Sequence, residues 1–374
     1  MKIVHYFALI LLLFAYSVTV SHASPPQTQG KKKIMVISSY HREYLWSQDT
    51  NKGVVKALQD FALLNNKAQA EAFSRNDFVE SSTAVIKKLW MDTKRKNSPE
   101  DILQTLASIM QEIDNFKPDI ILLGDDNAAN YVGNQYVDTE TPLVFWGVNG
   151  SPLKYSFINS LEKPGRNITG VYQAGYLKEC LVFLKKLVPG LKNFAILSDS
   201  SPSGRAKAKK LINMAAQNEL PLTLNGTIIT DSYAEWQTKA LELQNKVDAF
   251  FVLNHNTLKD DNGQSIDQMQ AGAWYLENIR KPDTAHERQF VEEGILCCVD
   301  DSGFKQGYEA VKIAVRILKE QKNPAGIAIY APERGPFIVN RQRAVMLKLE
   351  KIVRKNPLVE EFVSKSLALE KFPH

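Results

Sequence analysis

Polar and aromatic side chains follow the ends of short apolar runs at several places along the chain. Aromatic rings can stack on a planar ligand, and amide, hydroxyl and charged groups can hydrogen-bond its polar atoms. Because ligands of parallel α/β sheets meet the carboxyl ends of the strands, these positions predict a small-molecule cleft. The candidate ligand-binding residues are Ser39, Tyr40, His41, Trp46, Asp92, Lys94, Asp126, Asn127, Trp146 and Asn149 in the first half, and Ser203, Asn254 and Asp300 in the second.

Several of these candidates also have a purely structural interpretation. The aromatic residues can equally fill a core or line a hinge. Asp126 and Asn127 lie where a strand gives way to a helix, and can cap that helix without touching a ligand. The small residues from Ser200 to Gly204 resemble an anion cradle, but an ordinary helix cap needs the same residues. Asp300 is expected in a connection between lobes, where it binds a ligand amine or holds the hinge by hydrogen bonds.

The motifs of several enzyme classes are missing from the sequence. No Gly-x-Gly-x-x-Gly follows the first expected strand, and no Gly-x-x-x-x-Gly-Lys-Ser/Thr occurs, so dinucleotide and nucleotide cofactors are not expected. No Gly-x-Ser-x-Gly elbow is present for a hydrolase. We therefore expect a binding protein without a cofactor rather than an enzyme.

The cysteines are Cys180, Cys297 and Cys298. No histidine lies at ligand spacing from any of them, so a metal site is not expected. An odd number of cysteines in a chain of this size does not indicate a disulfide scaffold. Buried free thiols are the favoured interpretation, and a bridge from Cys180 to one of the other two stays open.

Composition indicates a folded globular protein. The chain has 374 residues, of which 44% are hydrophobic and 23% charged, and its formal net charge is +5. The basic residues are scattered among acidic ones and form no stripe interleaved with aromatics, so nucleic-acid binding is not expected.

The N-terminus has the pattern of a secretory signal. Lys2 precedes an apolar run over residues 6–20, and the small residues Ser21 and Ala23 follow it. We predict a signal peptide over residues 1–23, cleavage after Ala23, and a periplasmic or other extracytoplasmic location. An uncleaved membrane anchor is the alternative.

The remaining chain alternates short apolar runs with amphipathic stretches, which is typical of parallel α/β units. Two series of such units are expected, and the second begins after residues 165–167. Expected strands of the first series are 34–38, 85–91, 119–124 and 143–148, with helices at 50–64 and 98–116. Expected strands of the second are 168–172, 194–198, 222–229, 249–253 and 294–299, with helices at 176–188, 205–218, 233–246 and 307–321. The pattern predicts a first lobe over 31–150 plus about 300–325, and a second over 151–299 plus about 326–374.

A resemblance to a known family enters at the start of the second series. The sequence PGRNITGV at residues 164–171 is close to a PGGNITGV motif, from which it departs at Arg166, and TPLVF at residues 141–145 also matches. With these motifs the chain resembles the periplasmic substrate-binding proteins of ABC transporters, in the branch that includes tryptophan- and tyrosine-binding members. The resemblance implies a type I periplasmic-binding fold, α/β with two Rossmann-like parallel-sheet lobes joined by a multi-strand hinge. It also implies a monomer that delivers a small-molecule ligand to a membrane permease.

A narrower likeness concerns residues 39–46 and 91–95. These stretches resemble a sub-branch found both as free binding proteins and as the sensing half of membrane kinases and cyclases. No membrane span or signalling domain follows before His374, so a free binding protein is expected. The alternative is a free periplasmic sensor subunit that passes its ligand state to a membrane histidine kinase or cyclase.

Overall fold

In the computed structural model, which describes residues 30–373, the strands form two mostly parallel β-sheets. The strands of the first sheet are β1 (Lys32–Ser38), β2 (Phe78–Glu80), β3 (Ala84–Trp90), β4 (Ile120–Gly124), β5 (Leu143–Asn149) and β6 (Ile168–Gln173), in the order β2-β3-β1-β4-β5-β6. The strands of the second are β7 (Asn193–Ser198), β8 (Thr223–Ile229), β9 (Ala249–Val252), β10 (Asp283–Ala285), β11 (Cys297–Val299), β12 (Phe337–Asn340) and β13 (Glu361–Val363), in the order β13-β12-β11-β10-β9-β7-β8. The antiparallel pairs are β2 with β3 and β11 with β12.

Helices cover both sheets. Those of the first lobe, defined as the first sheet and its packed helices, are α1 (Leu45–Asp60), α2 (Lys67–Asn76), α3 (Pro99–Phe116), α4 (Asp125–Asn127), α5 (Gly133–Tyr136) and α11 (Gly303–Glu320). Those of the second lobe are α6 (Leu177–Leu187), α7 (Pro202–Ala216), α8 (Tyr233–Gln244), α9 (Gln268–Asn278), α10 (Arg288–Glu293), α12 (Arg341–Met346), α13 (Glu350–Val353) and α14 (Leu367–Lys371).

Strand β1 shows why the apolar runs become central strands. Ile34 and Val36 pack in a core with residues of α1 and α11, whereas Met35 and Ile37 pack in another core with residues of α3. Both faces of the strand are therefore buried, which explains an uninterrupted apolar run instead of an alternating one.

The α1–α11 contact depends on glycine. A Cβ on Gly53 would lie 1.9 Å from the Phe304 carbonyl oxygen, and one on Gly307 would lie 2.2 Å from that of Thr50. The two helix backbones can therefore approach only because these positions lack a side chain. Both helices begin earlier than predicted, α11 with Ser302 as its cap. Gly307, where the helix was predicted to start, lies inside α11 and serves its close packing against α1.

Helix α3 begins as predicted. The Ser98 side chain accepts a hydrogen bond from the Asp101 N–H, and Pro99 occupies the first turn. The segment before β3 differs from the sequence analysis, which assigned no elements there. It forms α2 and the short edge strand β2.

Strand β6 belongs to the first sheet, although the sequence analysis put it in the second series. It pairs in parallel with β5, and Gly170 packs so closely that a Cβ would lie 2.2 Å from the Phe145 carbonyl oxygen. The Thr169 hydroxyl also donates to the Ile327 carbonyl at 2.8 Å. The second series was predicted to begin after the loop at residues 165–167, but the chain returns from this loop to the same sheet.

The chain passes between the lobes after β6, after β11 and before β12. At these passages the Gly175 N–H donates to Asp301 Oδ2 at 2.7 Å, and the Gly335 N–H donates to the Asp300 carbonyl at 2.8 Å. None of the helices in residues 30–373 combines the length and apolar character needed to cross a bilayer. The predicted signal peptide over residues 1–23 lies outside the described residues.

Candidate functional site

A small concavity of about 10 Å³, about the space that one water molecule needs, lies between the carboxyl ends of the two sheets. We call it the inner cavity. Its first-lobe wall consists of Tyr40, Tyr44, Trp46, Lys94, Asn149 and Gln173. Its second-lobe wall consists of Ser203, Lys207, Asn254 and Glu287. The sequence rule that ligands meet strand ends therefore selects a real concavity.

Aromatic rings dominate the first-lobe wall. The rings of Tyr40 and Tyr44 meet edge to face, with centroids 5.2 Å apart. The Trp46 indole N–H donates to Asp125 Oδ1 at 2.7 Å, which fixes the plane of its ring. Burial raises the pKa of Asp125 well above its usual value, an effect that the Trp46 hydrogen bond opposes. These rings are thus held in place before any ligand arrives.

Lys94 extends over these rings. Its Nζ lies 4.7 Å from the centroid of the Tyr40 ring and 5.3 Å from that of Tyr44, both within the range of cation–π contact. The side chain is buried, and burial lowers its pKa. The first-lobe wall therefore combines aromatic faces with one positive charge.

The second-lobe wall has two opposite charges. Lys207 Nζ lies 3.4 Å from Glu287 Oε1 and also donates to Asn149 Oδ1 across the cavity. Glu287 accepts from Gln289 Nε2 at 2.5 Å and lies 3.0 Å from His286 Nε2. Burial alone would raise the pKa of Glu287, but the charges of His286 and Lys207 lower it well below its usual range. Glu287 is therefore an anion at neutral pH.

The start of α7 holds an internal carboxylate. Asp199 Oδ1 accepts from the Ser201 hydroxyl at 2.6 Å and from its N–H at 3.2 Å. Ser201 in turn caps the helix through the Gly204 N–H. Asn254 Nδ2 donates to the Ser203 hydroxyl at 2.8 Å. The cradle expected at residues 200–204 is thus filled by the protein's own Asp199.

An outer groove continues from the inner cavity and shares Tyr40, Lys94, Asn149 and Ser203 with it. Asp126 and Asn127 line this groove. Asp126 is occupied by protein groups: it accepts from the Tyr155 hydroxyl at 2.9 Å and Asn149 Nδ2 at 2.7 Å, and pairs with Lys154. Asn127 Nδ2 donates to the Thr93 hydroxyl at 2.7 Å.

Some predicted site residues stand behind the cavity. Ser39 donates to the Gly124 carbonyl at 2.6 Å and accepts from the Ala128 N–H at 2.8 Å, so it ties β1 to the start of the helical segment after β4. His41 Nδ1 lies 3.3 Å from Asp92 Oδ1, and Asp92 also pairs with Arg95. Neither the inner cavity nor the outer groove is lined by Ser39, His41 or Asp92.

Trp146 and Asp300 are also outside the cavity lining. Trp146 is 1% exposed and packs in the core under β1, because its side chain points away from the cleft face of β5. Asp300 lies at a passage between the lobes, where its Oδ1 accepts from the Arg288 N–H at 2.9 Å. Its Oδ2 is buried and has no hydrogen-bond partner among the described residues.

Sequence reasoning missed four lining residues: Tyr44, Gln173, Lys207 and Glu287. Gln173 is the last residue of β6, so the strand-end rule would have selected it had the strand been extended by one residue. Lys207 was recognisable in retrospect as a lysine on the apolar face of α7. Glu287 follows β10, a strand of three residues that gave no recognisable pattern.

Metal and thiol chemistry find no support in the described part of the chain. No group of three or more His, Cys, Asp or Glu residues there could hold a metal ion. Cys180, Cys297 and Cys298 are buried free thiols, as the sequence favoured, and the open alternative of a Cys180 bridge is not realised. Burial raises the pKa of all three thiols.

Two α/β lobes whose sheets end on a shared polar and aromatic cleft define a two-lobed solute-binding protein. Residues 81–357, about three quarters of the chain, match the family model of the ABC transporter substrate binding protein. The chain belongs to this family, as its motifs predicted. Its members are solute-binding proteins.

Known relatives agree with this assignment. The chain is 24% identical over 262 residues to a tyrosine-binding protein of Clostridioides difficile strain R20291. The aligned region covers 70% of this chain and 72% of the relative. The ligand-free, open structure of a substrate-binding protein with adhesive properties from Clostridium difficile is similar with a TM-score of 0.64 and 22% identity, over 89% of this chain and 99% of that one. An ABC domain from Streptococcus pneumonia in complex with L-Trp is similar with a TM-score of 0.63 and 18% identity, over 89% and 100%. The predicted type I periplasmic-binding fold is confirmed.

Proposed function

We propose that this protein captures a small planar solute with a charged group, an aromatic amino acid being the first candidate, and delivers it to an ABC transporter permease. The observation that carries the proposal is the inner cavity, where the rings of Tyr40, Tyr44 and Trp46 meet buried Lys94 and the Lys207–Glu287 pair. Rings supply a stacking surface, and charged groups orient a polar end.

The relatives support an aromatic ligand. One is named for tyrosine binding and another is in complex with L-Trp. In the proposed site Tyr40, Trp46 and Lys94 hold the ligand from the first lobe, and Asn149, Ser203 and Asn254 contact it when the lobes close. Asp126 and Asn127 shape the entrance. Ser39, His41, Asp92, Trp146 and Asp300 act indirectly, by holding the strands and passages that present this site.

The location and mode of action are part of the same proposal. A signal peptide over residues 1–23 would export the chain, which acts as a monomer outside the inner membrane, without cofactor or catalysis. The lobes open to admit the ligand and close around it, since only the closed state contacts the ligand from both sides. The proposed lobes follow the predicted bounds, except that β6 is assigned to the first lobe. The first lobe then covers 31–150, β6 and about 300–325, and the second covers the rest of 151–299 and about 326–374.

Calorimetry with L-tyrosine, L-tryptophan, L-leucine and L-lysine tests the ligand class. We expect the aromatic amino acids to bind more tightly than the other two. Trp46→Ala should weaken that binding by roughly 1–3 kcal/mol, the scale of removing a large buried side chain. Lys348→Ala is the control because Lys348 lies outside the cleft lining. Equal binding of leucine and tyrosine, or no effect of Trp46→Ala in a folded protein, would refute the aromatic site.

Uptake in the native host tests delivery. Deletion of the gene should abolish high-affinity uptake of the labelled ligand, and the wild-type gene should restore it. Normal uptake, combined with a lost transcriptional response to the ligand, would instead favour a sensor subunit.

A further inference from the structure

Three buried lysines of the described chain differ in what their ammonium groups meet. Lys88 Nζ donates to Asn51 Oδ1 at 2.8 Å, and Lys207 Nζ meets Asn149 Oδ1 and Glu287. Lys94 is 8% exposed, yet its Nζ has no hydrogen-bond acceptor and no carboxylate within 4.0 Å among the described residues. The Lys94 side chain lines both the inner cavity and the outer groove, so a ligand acceptor in the cleft can reach its ammonium without displacing a protein partner.

The other charges of the inner cavity do not supply that partner. Glu287 is already shared by Lys207, His286 and Gln289. Asp199 accepts from Ser201 and from the Asn256 N–H at 2.9 Å. The carboxylates of Asp199 and Glu287 act on the charge of Lys94 from a distance, but neither contacts its Nζ.

A second unpartnered group lines the same cavity. Gln173 is 3% exposed, and its Oε1 has no hydrogen-bond donor among the described residues. The cavity thus offers one cation that needs an acceptor and one carbonyl oxygen that needs a donor. A ligand with an acid group and a separate N–H or O–H would satisfy both.

We propose that the group recognised by the inner cavity is a carboxylate seated on Lys94 Nζ, and that an amine on the ligand is dispensable. This inference rests on the proposed function. A carboxylate fits better than a phosphate, because Lys94 is a single cation and the N–H groups of Ser201 and Gly204 at the start of α7 are already engaged by Asp199 and Ser201. The amine is dispensable because Glu287 is already compensated, while a phenol or indole can donate to Gln173.

Four probes separate these requirements: L-tyrosine, 3-(4-hydroxyphenyl)propanoate without the amine, tyramine without the carboxylate, and hexanoate without the ring. If L-tryptophan proves the tighter amino acid, indole-3-propanoate and tryptamine replace the phenols. Calorimetry is run on the wild type, Lys94→Met, Lys94→Arg and Lys96→Met. Lys96 is the matched control, since it is exposed on the same loop and lines neither cavity.

We expect the deaminated acid to bind within about tenfold of L-tyrosine, and tyramine to bind about a hundredfold more weakly, on the scale of a lost charge-assisted hydrogen bond. Lys94→Met should weaken both acids about tenfold to a hundredfold, Lys94→Arg less, and Lys96→Met not at all. Thermal melting confirms that the variants are folded.

Other outcomes overturn the inference in distinguishable ways. Tight binding of tyramine, loss of binding by the deaminated acid, or unchanged affinity in Lys94→Met would refute the carboxylate site and leave the aromatic ligand standing. Binding of hexanoate alone, lost in Lys94→Met, would refute the aromatic ligand and support the carboxylate site. Binding of none of the probes would overturn both.

Discussion

The two walls of the cleft treat their charges differently. On the second-lobe wall, Lys207 pairs with Glu287, and both contact neighbouring side chains. On the first-lobe wall, Lys94 faces two tyrosine rings and has no hydrogen-bond acceptor among the described residues. Both walls bury charge, but only the second balances it internally. A ligand contributes most binding free energy where it satisfies unpaired polar groups, and it contributes little at a wall whose charges are already paired until the lobes close. We therefore expect the ligand to bind the first lobe first and the second lobe to close over it.

The comparison predicts opposite stability effects from removing charges on the two walls. Glu287→Gln should lower the free energy of unfolding by about 3 kcal/mol, the scale of breaking a buried ion pair, because Lys207 stays buried without its carboxylate. Urea unfolding of the ligand-free protein is the measurement. Glu320→Gln is the control, since Glu320 is exposed at the end of α11. A loss as small as that of the control would mean that the second-lobe wall is not internally balanced.

Asp300, at a passage between the lobes, should make the stability of the protein depend on pH. Burial, followed by the charge of Asp49, raises the pKa of Asp300 to about 8, whereas an unfolded Asp titrates near 3.9. The folded state therefore keeps a proton that the unfolded state releases, and this contribution to stability is present at low pH and lost as pH rises from about 4 to about 8. The slope from this group is at most about 1.4 kcal/mol per pH unit.

Asp300→Asn should remove that slope and raise the stability of the protein at pH 8 relative to wild type. Urea unfolding at pH 5, 6.5 and 8 measures it. Asp261→Asn is the control, because Asp261 is exposed. A wild-type stability that rises over this range, with no change in Asp300→Asn, would show that Asp300 is ionised in the folded protein.

Lys94→Met should stabilise the ligand-free protein by about 1 kcal/mol, because it removes a buried charge that has no acceptor and keeps the apolar stem. The matched comparison is Lys88→Met, which leaves Asn51 Oδ1 without its donor and should destabilise. Thermal and urea unfolding of both variants decide the point. If both destabilise alike, Lys94 is held by the protein as Lys88 is, and the walls do not differ as argued.

The sequence predicted the lobes and part of the cleft for definite reasons. Buried parallel strands such as β1 and β4 are continuous apolar runs, which are easy to recognise. The residues that follow β1 and β3 lead directly to Tyr40 and Lys94. The rule failed for Trp146, because it lies within β5, where alternation directs its side chain into the core. A strand-end rule finds positions but does not determine side-chain direction.

The second-lobe wall was harder to predict than the first. Glu287 follows a strand too short to show a pattern, and Lys207 lies in the second turn of α7. Their proximity depends on how β10 and α7 pack in space. Pairing between residues eighty positions apart leaves no local signal, so the balanced wall emerges only from the structure.

The smallest expected effect concerns the one hydroxyl of the described first-lobe wall that reaches across the cleft. The Tyr44 hydroxyl lies 3.4 Å from Asn256 Oδ1, to which it donates, and accepts from Gln289 Nε2 at 3.3 Å. Both contacts are long, so Tyr44→Phe should weaken L-tyrosine binding by only about 0.5–1 kcal/mol, through closure and not through the first-lobe contact. The loss should appear as faster dissociation and a larger scattering radius of the liganded protein. Tyr40→Phe is the matched control, since it removes a hydroxyl from the same wall that makes no hydrogen bond across the cleft among the described residues. Equal dissociation rates for the two variants would mean that this hydroxyl adds nothing to closure, and that the walls are joined by Lys207 and Asn149.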